Sequence, residues 1–194
     1  MNKNITDLKN KHKDEDIWII LAGSSMDYIN TDFFNNKITI GQNQVYKHYP
    51  CNYVVMKDCM EEPRFPRSIE ELDRLEKTLI YCEYYKGYST NQKNVVKSTV
   101  TSLMHIAAYM GAKNIILCGH DCGKLNGNLY YEGYMEKDWV SAENWSGINS
   151  WMGSLQKQTQ LVRKYLMENY NCNIHSLNPF LNFGLEGNRY EASE

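Results

Sequence analysis

Two short apolar runs constrain this chain most. Ile17–Leu21 (IWIIL) and Asn114–Cys118 (NIILC) have strand length, and neither alternates apolar with polar residues. An unbroken apolar run suits a strand buried on both faces, as in the interior of a parallel sheet covered on each side. Each run ends abruptly in small and polar residues, Ala22-Gly23-Ser24-Ser25 and Gly119-His120-Asp121. Between and after them lie weaker strand patterns at Ile38–Ile40, Tyr53–Met56, Thr78–Tyr85 and Asn173–Leu177. Strands that alternate with helical patterns predict an α/β fold of Rossmann-like, three-layer type with a mostly parallel sheet of about six strands.

The helical patterns are of unequal quality. The clearest spans Ser98–Met110, where Val100, Leu103, Met104, Ala107 and Ala108 share one face and Gly111 stands at the C′ position. A second amphipathic helix is expected over Leu155–Glu168, a short one over Met26–Phe34, and a helical turn over Gln44–His48. Ser68 and Glu71 form a capping box for a helix over Ile69–Lys77. Residues 1–16 read as a polar lead-in and 17–194 as a single domain. The polar, aromatic segment 124–151 reads as a mobile lid, because loops of that length are usually functional.

Composition narrows the function. The chain has 194 residues and a formal net charge of −2, which speaks against a dedicated duplex-DNA binder with its basic face. No apolar run approaches the ~20 residues of a membrane helix. The charged start lacks a signal-peptide pattern, so the expected location is the cytoplasm, with the six cysteines reduced. Asn and Tyr are over-represented, and AT-rich codons or a polar, aromatic-lined ligand site would each account for that. The Tyr and Trp surplus also leaves room for a homodimer.

In open parallel sheets ligands bind beyond the carboxyl ends of the strands, so the strand ends hold the candidates. The turn Gly23-Ser24-Ser25 lets backbone N–H groups approach a phosphate at a helix start. It matches neither the dinucleotide fingerprint nor the P-loop, and a tight strand-to-helix turn would look the same. Asn43 can read a ribose or base edge, or simply make an Asx turn. Ser98 and Thr99 can cap the main helix or help it hold an anion. In Cys118-Gly119-His120-Asp121-Cys122, thiolate metal binding is disfavoured, because no second Cys pair stands at zinc spacing. His120 is the candidate acid/base and Asp121 a candidate carboxylate for substrate or cation. Tyr130 and Tyr134 stand in the lid segment with Tyr131, Trp139, Trp145 and Trp151.

These motifs together resemble the bacterial sialyltransferases that use CMP-sialic acid. They also resemble the related Rossmann-like domains of motility accessory factors and 6-hydroxymethylpterin diphosphokinases. The carriers are Ala22–Ser25, Gln42–Tyr46, Ser98–Val100, Gly111–Asp121 and Leu177–Gly184, spread over most of the chain. The resemblance implies a glycosyltransferase with a CMP-linked sugar donor and a glycan or small-molecule acceptor. It implies nucleotide contacts from Gly23, Ser24, Ser25, Asn43, Ser98, Thr99 and Gly119, with Asp121 closing the same site. It further implies phosphate contacts from Tyr130 or Tyr134, and it brings in Asn178 after the last strand. The family's catalytic His lies before the last helix, whereas the matching stretch 138–153 has none. Either His120, with Asp121, has taken the base role, or the reaction differs, or activity is lost. The diphosphokinase alternative would need Mg²⁺ on Asp121 and Asp58. A third alternative is a non-catalytic nucleotide-binding module.

Overall fold

The computed structural model describes residues 5–56, 78–81, 98–134 and 148–177. Within them lie six strands: β1 (Asp16–Ile20), β2 (Ile38–Gln42), β3 (Tyr53–Met56), β4 (Thr78–Tyr81), β5 (Asn114–Cys118) and β6 (Asn173–Ser176). They form one sheet in the order β4-β3-β2-β1-β5-β6, and every neighbouring pair is parallel. The expected α/β fold with about six strands is what forms. The two apolar runs are β1 and β5, paired with each other at the centre from Asp16↔Asn114 to Ile20↔Cys118.

The period-two alternation of strand side chains sorts the core into two layers. Ile17, Ile19, Leu21, Ile115, Leu117 and Ile174 point to one face. There they meet the apolar stripes of α1 (Thr99–Tyr109) and α2 (Ile148–Tyr170). Trp18, Ile20, Ala22, Ile116 and Cys118 point to the other face, against Met26, Phe34, Val45, Tyr46 and Tyr49. This second layer is built from short 3₁₀ turns and aromatic contacts. Trp18 meets Phe33 edge-on at 5.2 Å and Phe34 meets Tyr49 at 5.8 Å.

Several expected boundaries move, each for a local reason. Met26–Phe34 is two 3₁₀ turns, Ser24–Tyr28 and Thr31–Phe34. Ile29 is extended and ends the first turn, Tyr49 donates its hydroxyl to Met26 O there, and Asn30 caps the second turn by accepting from Asp32 N. α2 starts at Ile148 rather than Leu155, so the expected lid boundary at 151 falls inside a helix. The segment ahead of β1 is packed down. Leu8 is buried, and the backbone N–H groups of Asn10, His12 and Asp14 bond to the carbonyls of Tyr109, Met110 and Gly111 at the end of α1. Gly111 there has φ +92°, the left-handed C′ conformation that favours glycine. The expected helix 69–77, Asp58 and Asn178 lie outside the described residues.

Candidate active site

The strand order reverses direction at β1, with β2 on one side and β5 on the other. Such a switch point opens a crevice at the carboxyl ends of the two central strands. A cavity of about 150 Å³ lies there. Its polar side is formed by Gly23, Gln42, Ser98, Thr99, Gly119, His120 and Asp121. Its apolar side is formed by Val100, Leu129, Trp151, Met152 and Leu155. The volume is small beside the ~300–1,000 Å³ of typical small-molecule sites, so a whole nucleotide would extend beyond its rim.

The two central turns are locked to each other. Leu21 N bonds to Cys118 O at 2.9 Å, and Gly23 N to Gly119 O at 3.0 Å. Asp121 then ties the first turn down. One carboxylate oxygen, Oδ2, accepts from Ser25 N at 2.7 Å and has Ser24 Oγ 3.4 Å away. The other, Oδ1, accepts from Ser25 Oγ. Asp121 is thus a buried carboxylate capping the 3₁₀ turn Ser24–Tyr28, where the exposed amide dipoles favour negative charge. The Ser25 hydroxyl is directed at that cap rather than at the cavity, and the Ser24 hydroxyl has Asn128 O at 2.9 Å as its nearer acceptor, with the carboxylate at 3.4 Å.

Both glycines of the turns are required, for different reasons. Gly23 has an ordinary φ of −64°, but a Cβ there would lie 2.5 Å from Asp121 Cγ and 2.6 Å from Oδ2. Gly119 has φ +71°, and its Cβ would lie 2.6 Å from Met26 Cγ. Small residues at these positions let the two turns meet.

At the start of α1 the capping alternative is realised. Thr101 N and Ser98 Oγ, together with Ser98 N and Thr101 Oγ1, form a reciprocal capping box. Thr99 and Val100 follow, and their N–H groups belong to the first turn, which has no helical acceptors. This places an anion-favouring helix end on the cavity wall.

His120 lines the cavity yet is buried. Its Nε2 is 2.9 Å from Thr159 Oγ1 on α2, and Cys122 Sγ lies 3.4 Å away. Burial pushes the imidazole pKa down to about 4 and, with Asp121 nearby, pushes the Cys122 thiol up to about 12. At neutral pH both groups are therefore uncharged.

The segment after β5 crosses over the first turn. Tyr130 makes an antiparallel bridge with Gly23, and Tyr131 N bonds to Ala22 O. Glu132 N bonds to Asp27 Oδ1 at 2.8 Å and Asn126 Nδ2 to Tyr28 OH at 2.7 Å. Tyr130 reaches the cavity; Tyr134 packs on Tyr130 and Tyr131 beside it. Asn43 has φ +47° at the start of the 3₁₀ turn Asn43–Lys47, just beyond Gln42. Gln42, rather than Asn43, is the amide on the cavity wall.

Sequence reasoning missed Gln42, Met152 and Thr159, and it placed Trp151 in the lid rather than on the helix with Leu155 that lines the cavity. Trp151, Met152 and Leu155 stand at i, i+1 and i+4 on one helical face, and Gly153 among them marks why the helix was expected to start only at Leu155. Among the described residues no group of three His, Cys, Asp or Glu side chains could hold a metal ion. A Mg²⁺ site on Asp121 would also compete with the cap that its oxygens serve. Among the described residues no helix is long and apolar enough to cross a membrane.

No protein-family model and no curated protein sequence matches the chain. Solved structures do resemble it. One is the sialyltransferase CstII from Campylobacter jejuni in complex with the substrate analogue cytidine-5′-monophosphate. It is 14% identical with a TM-score of 0.54, over 86% of this chain and 81% of that one. The same enzyme with CMP-3FNeuAc gives 14% and 0.54, over 88% and 84%. A CST-II variant in complex with CMP gives 12% and 0.52, over 85% and 82%. At such identities the likeness establishes architecture alone: this chain has an α/β fold like that of these sialyltransferases.

Proposed function

We propose that this chain is a glycosyltransferase of the sialyltransferase type, and that the switch-point cavity takes the nucleotide of a CMP-linked sugar. One observation carries the reading. The cavity joins the carboxyl ends of β1, β2 and β5 to the first turn of α1, in a fold shared with sialyltransferases solved with CMP. Backbone at Gly23 and Gly119 and the start of α1 at Ser98 and Thr99 would receive the phosphate, where N–H dipoles converge. Gln42 and Asn43 would face the nucleoside, with Tyr130, Tyr134 and Asn178 closing around it. Ser24, Ser25 and Asp121 would hold the first turn in shape.

In the transfer step the acceptor hydroxyl oxygen bonds to the anomeric carbon as the bond from that carbon to the CMP phosphate breaks. The hydroxyl proton passes to a base, and CMP leaves with the bonding electrons. His120 is the histidine on the cavity wall and the group we assign as that base. Its low pKa keeps it unprotonated at neutral pH, and a donor phosphate beside it favours proton uptake.

Thermal-shift and calorimetric titrations with CMP, UMP, GMP and AMP, with and without Mg²⁺, test the site. CMP should raise Tm by mass action. If no nucleotide shifts Tm at millimolar concentration, the reading fails. His120→Ala should abolish transfer from a CMP-linked sugar while sparing CMP binding. CMP binding with no transfer by the wild-type chain would instead mark a binding module.

A further inference from the structure

The buried contact between His120 and α2 has no part in holding a nucleotide, yet its geometry is that of an orienting pair. Thr159 is 1% exposed and sits one helical turn beyond Leu155, whose side chain lines the cavity. Its Oγ1 lies 2.9 Å from Leu155 O and 2.9 Å from His120 Nε2. A hydroxyl has one proton to give. With that proton on the Leu155 carbonyl, the usual back-bond of a helical Thr, Oγ1 meets His120 as an acceptor. Nε2 then carries the imidazole hydrogen, and Nδ1, with the Cys122 thiol sulfur 3.9 Å away, is the basic nitrogen.

We infer that Thr159 is a positioning residue for His120: it fixes the Nε2–H tautomer and the ring plane, making Nδ1 the proton acceptor of the site. The inference rests on the reading of His120 as the base. It follows the general rule that the hydrogen bond at one ring nitrogen decides which nitrogen is basic. It also links the cavity's two walls. Trp151, Met152 and Leu155 line the cavity from the same helix, so α2 carries both that wall and the partner of the imidazole.

The test uses the full chain with ¹⁵N-labelled histidine. The His120 signals are identified by their loss in His120→Ala, and ¹⁵N shifts report the tautomer. The wild-type chain should show a protonated Nε2 and an Nδ1 without a proton. Thr159→Val, which keeps shape but loses the acceptor, should shift His120 towards the other tautomer. It should also lower kcat of transfer at least tenfold, with CMP affinity within twofold. Thr159→Ser should restore the wild-type spectrum and kcat to within threefold. An unchanged tautomer in Thr159→Val, or no rescue by Thr159→Ser, overturns the inference even if His120→Ala is inactive. A tautomer shift in a chain whose turnover survives His120→Ala would keep the orienting pair and remove His120 from the mechanism.

Discussion

Asp121 looks catalytic in the sequence and structural in the fold, and replacing it separates the two. Its carboxylate accepts from Ser25 N at 2.7 Å and from Ser25 Oγ, with a weaker contact to Ser24 Oγ at 3.4 Å. Hydrogen bonds to a charged group contribute about 1.5–3 kcal/mol each. Asp121→Ala loses both short bonds and leaves a buried N–H without its acceptor, so the expected cost is about 3–5 kcal/mol. Asp121→Asn keeps a carbonyl for Ser25 N and an amide for Ser25 Oγ, so only the charge assistance goes, about 1–2 kcal/mol. For a chain of this size each kcal/mol moves Tm by ~2–4 °C. Melting should therefore fall by roughly 6–20 °C for Ala and roughly 2–8 °C for Asn. Differential scanning calorimetry at neutral pH reads both, and CMP titration follows the loosening of the first turn. If Asp121→Ala melts within about 2 °C of wild type while transfer is lost, the cap argument is wrong and the carboxylate acts on substrate.

Other perturbations follow from the same contacts. Gly23→Ala forces a methyl to within 2.5 Å of Asp121 Cγ. It should cost ~1–3 kcal/mol and weaken CMP binding in a titration, and wild-type affinity would show that the turn yields freely. His105 and His120 are both buried and neutral, with pKa values near 4 against an ordinary 6.5. Between those values the unfolded chain binds the extra protons. Stability is thus intact above about pH 6.5 and falls below it, by up to ~1.4 kcal/mol per pH unit for each histidine. Urea midpoints from pH 7 to 4.5 should show that slope, and His105→Leu should reduce it. Leu166, fully buried between α2 and the sheet, should cost about 2–5 kcal/mol on replacement by Ala, with CMP affinity per folded molecule unchanged.

What was legible in the sequence followed from local chemistry. β1 and β5 are apolar on both faces because both faces are covered, so their runs needed no partner to be read. Ser98 and Gly111 mark the ends of α1 because a cap and a left-handed residue are set by near neighbours. What was hidden depends on distant partners. The helix expected over Met26–Phe34 breaks at Ile29, whose backbone is extended, and Tyr49, 23 residues on, donates to the Met26 carbonyl at that break. β2 runs past Gly41 to Gln42 because the glycine admits the Cys51 side chain, and this places an amide on the cavity. Asp121 reads as a free carboxylate until its partner, 96 residues earlier, is placed beside it. His120 falls at the cavity as a strand-end residue should, but its orienting Thr159 is 39 residues away on a helix with no motif.

The sheet's central pairing also dictates when this molecule can exist during synthesis. β1 gains its second neighbour only from β5, and the bond from Asn114 to Asp16 closes a span of 98 residues. Long-range parallel pairing of this kind is slow, because loop-closure entropy is spent before contacts repay it. A nascent chain that stops before Asp121 therefore carries the first turn without its cap, and β1 has one open edge. Until the ribosome has passed that residue, the edge is a surface for pairing with other chains, and a chaperone that shields Ile17–Leu21 would act in this interval.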